Sequence, residues 1–295
     1  MGKTIAVIGL GNMGGPMAAN LIKAGHSVTG FDLVKASLDA AKADGVTIAA
    51  SAVEAAKSAD VIITMLPAGK HVQSVWAEVV PVARDGALLI DCSTIDVESA
   101  RKAHALAGGR KLLSIDAPVS GGVGGAKGAT LTFMCGGSGD AFAAAKPVLE
   151  AMGKRIVHCG EAGAGQAAKI CNNMILAISM IGASEAFALA EKLGLSHQAL
   201  FDVASTSSGQ CWAITSYCPV PGPVPASPAN NGYKPGFAAA LMLKDLRLSQ
   251  EAAKAAGAAT PLGAHAEEIY SAFNAAGHDG DDFSGIINHV RGMKR

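Results

Sequence analysis

Two rhythms of apolar and polar positions divide the chain. Up to about residue 160, short apolar runs rich in β-branched residues, TIAVIG, HSVTGF, VTIAA, DVIITML, GALLID, LLSIDAP, TLTFMCG and RIVHCG, alternate with Ala-rich segments such as SLDAAKADG and DAFAAAKPVLEAMG. Runs that are apolar along their whole length suit strands covered on both faces, and the helical segments between them suit parallel crossovers. The pattern therefore predicts a parallel or mostly parallel sheet with helices on both sides.

After residue 162 the strand-like runs stop. One helical pattern extends from Gly163 to Gly194, and further helices are expected to begin near His197, Phe237, Pro261 and Asp281. The stretch CPVPGPVPASPANNGYKPG interrupts them, and its prolines, Pro219, Pro221, Pro223, Pro225 and Pro228, favour a rigid extended connection over helix.

Composition narrows the function. Half of the residues are hydrophobic, and 24 basic residues balance 24 acidic ones with no long run of one sign. Neither a nucleic-acid surface nor an anionic-membrane surface is expected from such a balance, so a small-molecule site is. The cysteines, Cys92, Cys135, Cys159, Cys171, Cys211 and Cys218, form no C-x-x-C pair and no grouping with His, which argues against zinc and a disulfide scaffold and for buried free thiols. The opening MGKTIAVIGLG enters a strand pattern at once, and the longest apolar stretch is broken by Ser179, Gly182 and Glu185. A chain without a leader or membrane span, in a reducing cytoplasmic setting, is the expectation.

The first strand runs into Gly9-Leu10-Gly11-Asn12-Met13-Gly14, a G-x-G-x-x-G between a strand and a helix. Gly9 permits a tight turn, Gly11 lets the backbone approach a pyrophosphate, and Gly14 allows helix to pack closely on strand. The next strand ends in Asp32, where a carboxylate would accept hydrogen bonds from ribose hydroxyls and repel a 2′-phosphate. A plain tight turn and a loop carboxylate are the simpler readings of these residues, but in this order they point to NAD in preference to NADP. The expected fold class is thus an α/β Rossmann-type dinucleotide-binding domain, residues 1–162, followed through a long helix by an all-α domain for substrate and oligomerisation, residues 163–295.

Four separated segments, IGLGNMGGPMAANL, DAPVSGGVGGAKGATLTFMCGG, GQAAKICNN and GYKPGFAAALMLKDL, resemble in order and spacing the β-hydroxyacid dehydrogenase family, and the resemblance covers nearly the whole chain. It implies a helical domain closing over the cofactor. It also implies NAD-dependent oxidation of a small 3-hydroxy acid, foremost 3-hydroxyisobutyrate to methylmalonate semialdehyde as in valine breakdown, by a homodimer or homotetramer. Residue by residue, Gly9, Gly11 and Gly14 would lie under the pyrophosphate, with Leu10, Asn12 and Met13 in the same loop, and Leu66, Pro67 and Thr94 would line the cofactor at strand ends. Ser120, Gly121 and Gly122 match the segment that holds the substrate carboxylate. Lys169 matches the family's catalytic lysine, Asn173 a substrate-orienting amide, and Lys244 a residue beside the cofactor. Phe237, Leu241, Lys244 and Leu248 are expected to share one helical face, with Phe237 and Trp212 as further apolar contacts or core residues.

Lys169 and Asn173 stand one helical turn apart, with Asn172 beside them, so three polar groups are expected to share a patch. Hydride loss from an alcohol requires its hydroxyl proton to leave as well, and a neutral amine within reach can take it. Burial and a nearby positive nicotinamide would both favour the neutral amine. Asn173 could hold the hydroxyl or carboxylate, and Asn172 could orient Lys169 or bind the backbone. Rival readings are a tartronate-semialdehyde or succinic-semialdehyde/glyoxylate reductase of the same superfamily, and a cofactor-binding interaction protein without the chemistry.

Overall fold

The computed structural model describes residues 2–293. It contains two compact units, Met1–Lys169 and Ile170–Arg295.

The first unit is built on nine strands: β1 (Thr4–Ile8), β2 (Ser27–Phe31), β3 (Thr47–Ile48), β4 (Val61–Thr64), β5 (Leu88–Asp91), β6 (Leu113–Asp116), β7 (Val119–Ser120), β8 (Leu131–Gly136) and β9 (Gly153–Gly160). Their order is β3-β2-β1-β4-β5-β6-β8-β7, with β9 also paired to β8. The pairs from β3 through β6 are parallel, whereas β8 runs antiparallel to β6 and β7. Side chains alternate faces along a strand, and here both faces are covered. Ile5 and Val7 of β1 join Met17 and Leu21 in one core, while Ala6 and Ile8 join Trp76 in the other. Chain order reverses between β1 and β4, the place where open α/β sheets bind ligands at their carboxyl edge.

The helices of this unit are α1 (Gly14–Lys23), α2 (Lys35–Ala43), α3 (Ala52–Ala56), α4 (Gly69–Val79), α5 (Val97–Gly109), α6 (Gly122–Lys127) and α7 (Gly139–Leu149). The long helix α8 (Ala164–Lys192) begins in the first unit and continues into the second. It is followed by α9 (His197–Ala204), α10 (Trp212–Thr215), α11 (Ala239–Ala256), α12 (Pro261–Phe273) and α13 (Ile286–Gly292).

Several expectations need correction. The helix expected from Gly163 to Gly194 forms as α8, but even with Ser179, Gly182 and Glu185 in it, α8 is long and apolar enough, by length and composition, to cross a membrane. Its Ala177, Met180, Ile181 and Phe187 pack in the cores of the second unit. The Pro-rich stretch is not extended throughout: Pro228–Asn231 form a 3₁₀ turn capped by the Ser227 side chain, since Pro is tolerated in a first turn whose N–H would be unpaired anyway. Helix α11 starts two residues after Phe237, because Gly236 N and Phe237 N donate to Asp282 Oδ2 (2.9 and 3.1 Å) and hold that segment out of the helix. Phe237 therefore does not share a helical face with Leu241, Lys244 and Leu248. The last helix begins at Ile286, after a 3₁₀ turn capped by Asp282. Nor are all thiols buried: Cys92, Cys135 and Cys218 are, Cys159 and Cys211 are half-buried, and Cys171 lies exposed on α8.

Candidate active site

The turn after β1 is made by glycines for two different reasons. Gly9 has φ +96°, and a Cβ there would lie 2.2 Å from Met65 O; a Cβ on Gly14 would lie 1.9 Å from Gly9 O. Both positions are dictated by the protein's own packing. At Gly11, by contrast, a Cβ would meet no protein atom within 4 Å, so only a group lying against the loop would require glycine there. Met13, the N-cap of α1, supplies no side-chain cap, which leaves the first turn suited to an anion. Leu10 is buried in the sheet core, and Asn12 is exposed. Asp32 ties the end of β2 to this loop, accepting from Leu10 N at 2.7 Å and Val34 N at 2.8 Å. The loop therefore fits a dinucleotide.

Beyond β4 and β5 a polar network joins the segments that carry Leu66, Pro67 and Thr94. Leu66 N donates to Ser93 Oγ (2.8 Å), which donates to Asp91 Oδ1 (2.6 Å); Thr64 Oγ1 donates to the same oxygen (2.7 Å). The Asp91 side chain is fully enclosed, and its Oδ2 has no hydrogen-bond partner among the described residues. Burial pushes its carboxyl up to about 6, against the pull of the Ser93 and Thr64 hydrogen bonds, with Asp116 adding to the rise. A folded-state value above the unfolded one means that this stabilisation is complete below about 4 and is lost as pH rises to about 6. Its size is roughly 3 kcal/mol. Urea unfolding between pH 4 and 7 should show wild type losing stability across that window by more than Asp91→Asn, which cannot ionise; equal slopes would mean that Asp91 does not titrate there.

Ser120 lies in β7, opposite Thr132 of β8. The sequence rhythm gives no sign of this two-residue strand. Gly121 and Gly122 follow with φ +129° and +59°, conformations that residues with side chains disfavour. A hydroxyl and two turned peptide groups thus follow one another at the strand end.

Helix α8 is started by a residue far away in sequence. Asp116, at the end of β6, accepts from Gly163 N (2.8 Å) and Gln166 N (2.9 Å), and from His104 Nε2 at 2.9 Å. Lys169 is buried, 6% exposed. One turn on, in the second unit, Asn173 is also buried; its Nδ2 donates to the buried Asp245 Oδ2, and its Oδ1 accepts from Asn172 Nδ2 at 3.0 Å. Asn172 itself is exposed, so it braces Asn173 from the solvent side. Asp245 escaped the sequence reading although it adjoins Lys244 in the same motif, because a carboxylate on a helix gives no sign of burial.

Within the second unit, Lys244 is half-buried and Leu241 half exposed, while Met242, Leu243 and Leu246 form the core side of α11. Phe237 meets Phe283 edge-on, 5.7 Å between centroids, and Trp212, half exposed, stacks on Tyr217 at 4.8 Å.

Known proteins match nearly the whole chain. Residues 4–160 match the NAD binding domain of 6-phosphogluconate dehydrogenase, and residues 163–290 match the family described as NAD-binding of NADP-dependent 3-hydroxyisobutyrate dehydrogenase. The chain is 56% identical to the probable 3-hydroxyisobutyrate dehydrogenase of Mycobacterium tuberculosis, over 98% of each chain. The chain belongs to the β-hydroxyacid dehydrogenase family. The solved structure of the M. tuberculosis 3-hydroxyisobutyrate dehydrogenase with L-serine superposes with a TM-score of 0.95, covering 99% of this chain and 100% of that one at 56% identity. The NAD-dependent L-serine dehydrogenase of Pseudomonas aeruginosa is 47% identical over 96% of each chain. As a β-hydroxyacid dehydrogenase the chain is an NAD-dependent oxidoreductase.

Proposed function

We propose that this enzyme oxidises 3-hydroxyisobutyrate to methylmalonate semialdehyde, the step met in valine breakdown, with Lys169 as general acid/base. The observation that carries the reading is a buried lysine one helical turn from a buried, braced amide on α8. When bound, NAD supplies the hydride acceptor. Lys169 takes the hydroxyl proton during oxidation and returns it during reduction, and Asn173 orients the hydroxyl without adding a charge. The Ser120 hydroxyl and the Gly121 and Gly122 peptides hold the carboxylate. Gly9, Leu10, Gly11, Asn12, Met13 and Gly14 cradle the pyrophosphate, with Asp32 at the ribose. Leu66, Pro67 and Thr94 line the cofactor, and Phe237 and Lys244 border it. In this division of labour residues 1–162 bind NAD and residues 163–295 serve substrate and oligomerisation. Exposed Ile175 and Leu189 on α8, with exposed Leu193 just after its end, support a homodimer or homotetramer.

L-Serine is a second reading, favoured by the related structure with L-serine and by the serine dehydrogenase relative. Both molecules carry a primary alcohol two carbons from a carboxyl carbon and differ at the carbon between, methyl in one and ammonium in the other. A panel of 3-hydroxyisobutyrate, L-serine and tartronate semialdehyde with NAD(H) and NADP(H) tests the assignment; kcat/KM highest for either of the other two overturns it. In the same assays Ser120→Ala should raise KM for 3-hydroxyisobutyrate about 10- to 100-fold, the loss of a hydrogen bond to a charged group worth roughly 1.5–3 kcal/mol. KM for NAD should change little. An equal effect on an alcohol lacking the carboxylate would reduce the segment to a turn.

A further inference from the structure

Gln166 has no role in the mechanism above, yet its side chain is completely buried between the cofactor segment and the first turn of α8. Nε2 donates to Ser93 O at 2.7 Å, and Oε1 accepts from Ile95 N at 3.0 Å. The amide orientation is fixed, because Ser93 O can only accept and Ile95 N can only donate. The two bonds grip the peptide groups on either side of Thr94, much as a neighbouring strand would. Ser93 in turn carries Leu66 N on its hydroxyl, so both cofactor-lining strand ends are tied to one side chain. The helix that bears Gln166 is seated equally firmly. Asp116 Oδ2 accepts Gln166 N, and at Gly165 a Cβ would lie 2.2 Å from Met134 O and 2.7 Å from Asp116 O. Lys169 follows Gln166 by three residues, on the neighbouring position of the same helical surface.

We propose that Gln166 is a positioning residue that locks the Ser93–Ile95 segment, and with it Thr94, to the helix turn carrying Lys169, so that cofactor and proton acceptor keep one fixed relation. The inference rests on the roles given above to Thr94 and Lys169. A displacement of about 1 Å at a reacting centre costs on the order of 10²-fold in rate, which makes a rigid link between these two groups valuable.

Gln166→Glu keeps the volume and the acceptor but sets a carboxylate oxygen against Ser93 O. Protonation restores the donor, so this variant carries its own rescue. The titratable groups near this turn are Asp116 on β6, which accepts Gln166 N and pairs with His104 on α5, Asp91 on β5, which accepts the Ser93 hydroxyl, Arg101 on α5, which reaches Ala162 O, and Lys169 on α8 itself; the acids favour the protonated form of the new carboxyl and the cations its ionised form. Gln166→Leu removes both bonds. Four measurements are made on the full-length protein: the Kd of NAD by calorimetry, kcat with its deuterium isotope effect on whichever substrate wild type oxidises, the pH profile, and Tm. Both variants should bind NAD several-fold more weakly and lose roughly 10- to 100-fold in kcat, with the isotope effect rising as hydride transfer becomes limiting. The Gln166→Glu deficit relative to wild type should shrink as pH falls. Loss of Tm with unchanged isotope effect and NAD affinity in the folded fraction would make Gln166 merely structural. Wild-type values throughout would also overturn the proposal. Should Gln166→Leu fail to fold, Gln166→Glu at two pH values decides alone. Wild type inactive on every substrate sinks the functional reading instead, and the NAD affinities still decide the role of Gln166.

Discussion

Lys169→Ala should lower kcat by about 10²–10⁴-fold, the usual contribution of a positioned proton acceptor, while the Kd of NAD stays close to wild type. The lysine belongs to α8, whereas the glycine turn and Asp32 lie at the ends of β1 and β2, so removing its amine leaves the dinucleotide cradle intact. Wild-type turnover in the variant at neutral pH would remove Lys169 from the mechanism. The same role sets opposite pH dependences for the two directions. Oxidation needs the neutral amine, so kcat/KM for the hydroxy acid should rise with pH and level off; reduction of the semialdehyde needs the ammonium and should be favoured at lower pH. A flat oxidation profile, with a deuterated substrate showing that chemistry is rate-limiting, would mean that no such base titrates.

The second large effect concerns the cofactor. Wild type should prefer NAD over NADP by roughly 10²-fold or more in kcat/KM, since a carboxylate beside a 2′-phosphate meets a repulsion of about 4 kcal/mol at an effective dielectric of 20. Asp32→Ser should shrink that preference by at least about tenfold. Asp32 also holds Leu10 N and Val34 N, so the variant should lose some efficiency with NAD as well. The ratio of the two efficiencies is therefore the informative quantity. Equal use of both cofactors by wild type would leave Asp32 as a brace for the glycine loop and nothing more.

What could be read from the chain alone follows the range of the forces involved. Strands such as VIIT and LLID announce themselves because both of their faces are buried, and the glycine turn because its backbone geometry is local. The start of α11 lies two residues beyond Phe237 because Asp282, 45 residues further on, holds Gly236 and Phe237 out of the helix. The two residues of β7 are too few to show a period, and a 3₁₀ turn at Pro228 looks like any other proline in a proline-rich stretch. In the candidate site, the chemical types of Lys169, Asn173 and Ser120 were visible. The bonds that place α8, from Asp116 to Gly163 and Gln166, span 47 and 50 residues and leave no trace in periodicity. The same is true of Gln166 with Ser93 and Ile95.

That distant cap on α8 bears on how the polypeptide can be divided. A helix normally carries its own start signal, yet this one borrows an acid from the sheet, and its first six residues belong to the first compact unit. A cut at the sequence boundary near residue 162 would leave the following segment with bare peptide N–H groups and no acceptor for them. The lysine assigned to proton transfer would then sit in a fraying end, so the visible change of rhythm in the chain is not a seam along which two working halves could be separated and recombined with other partners.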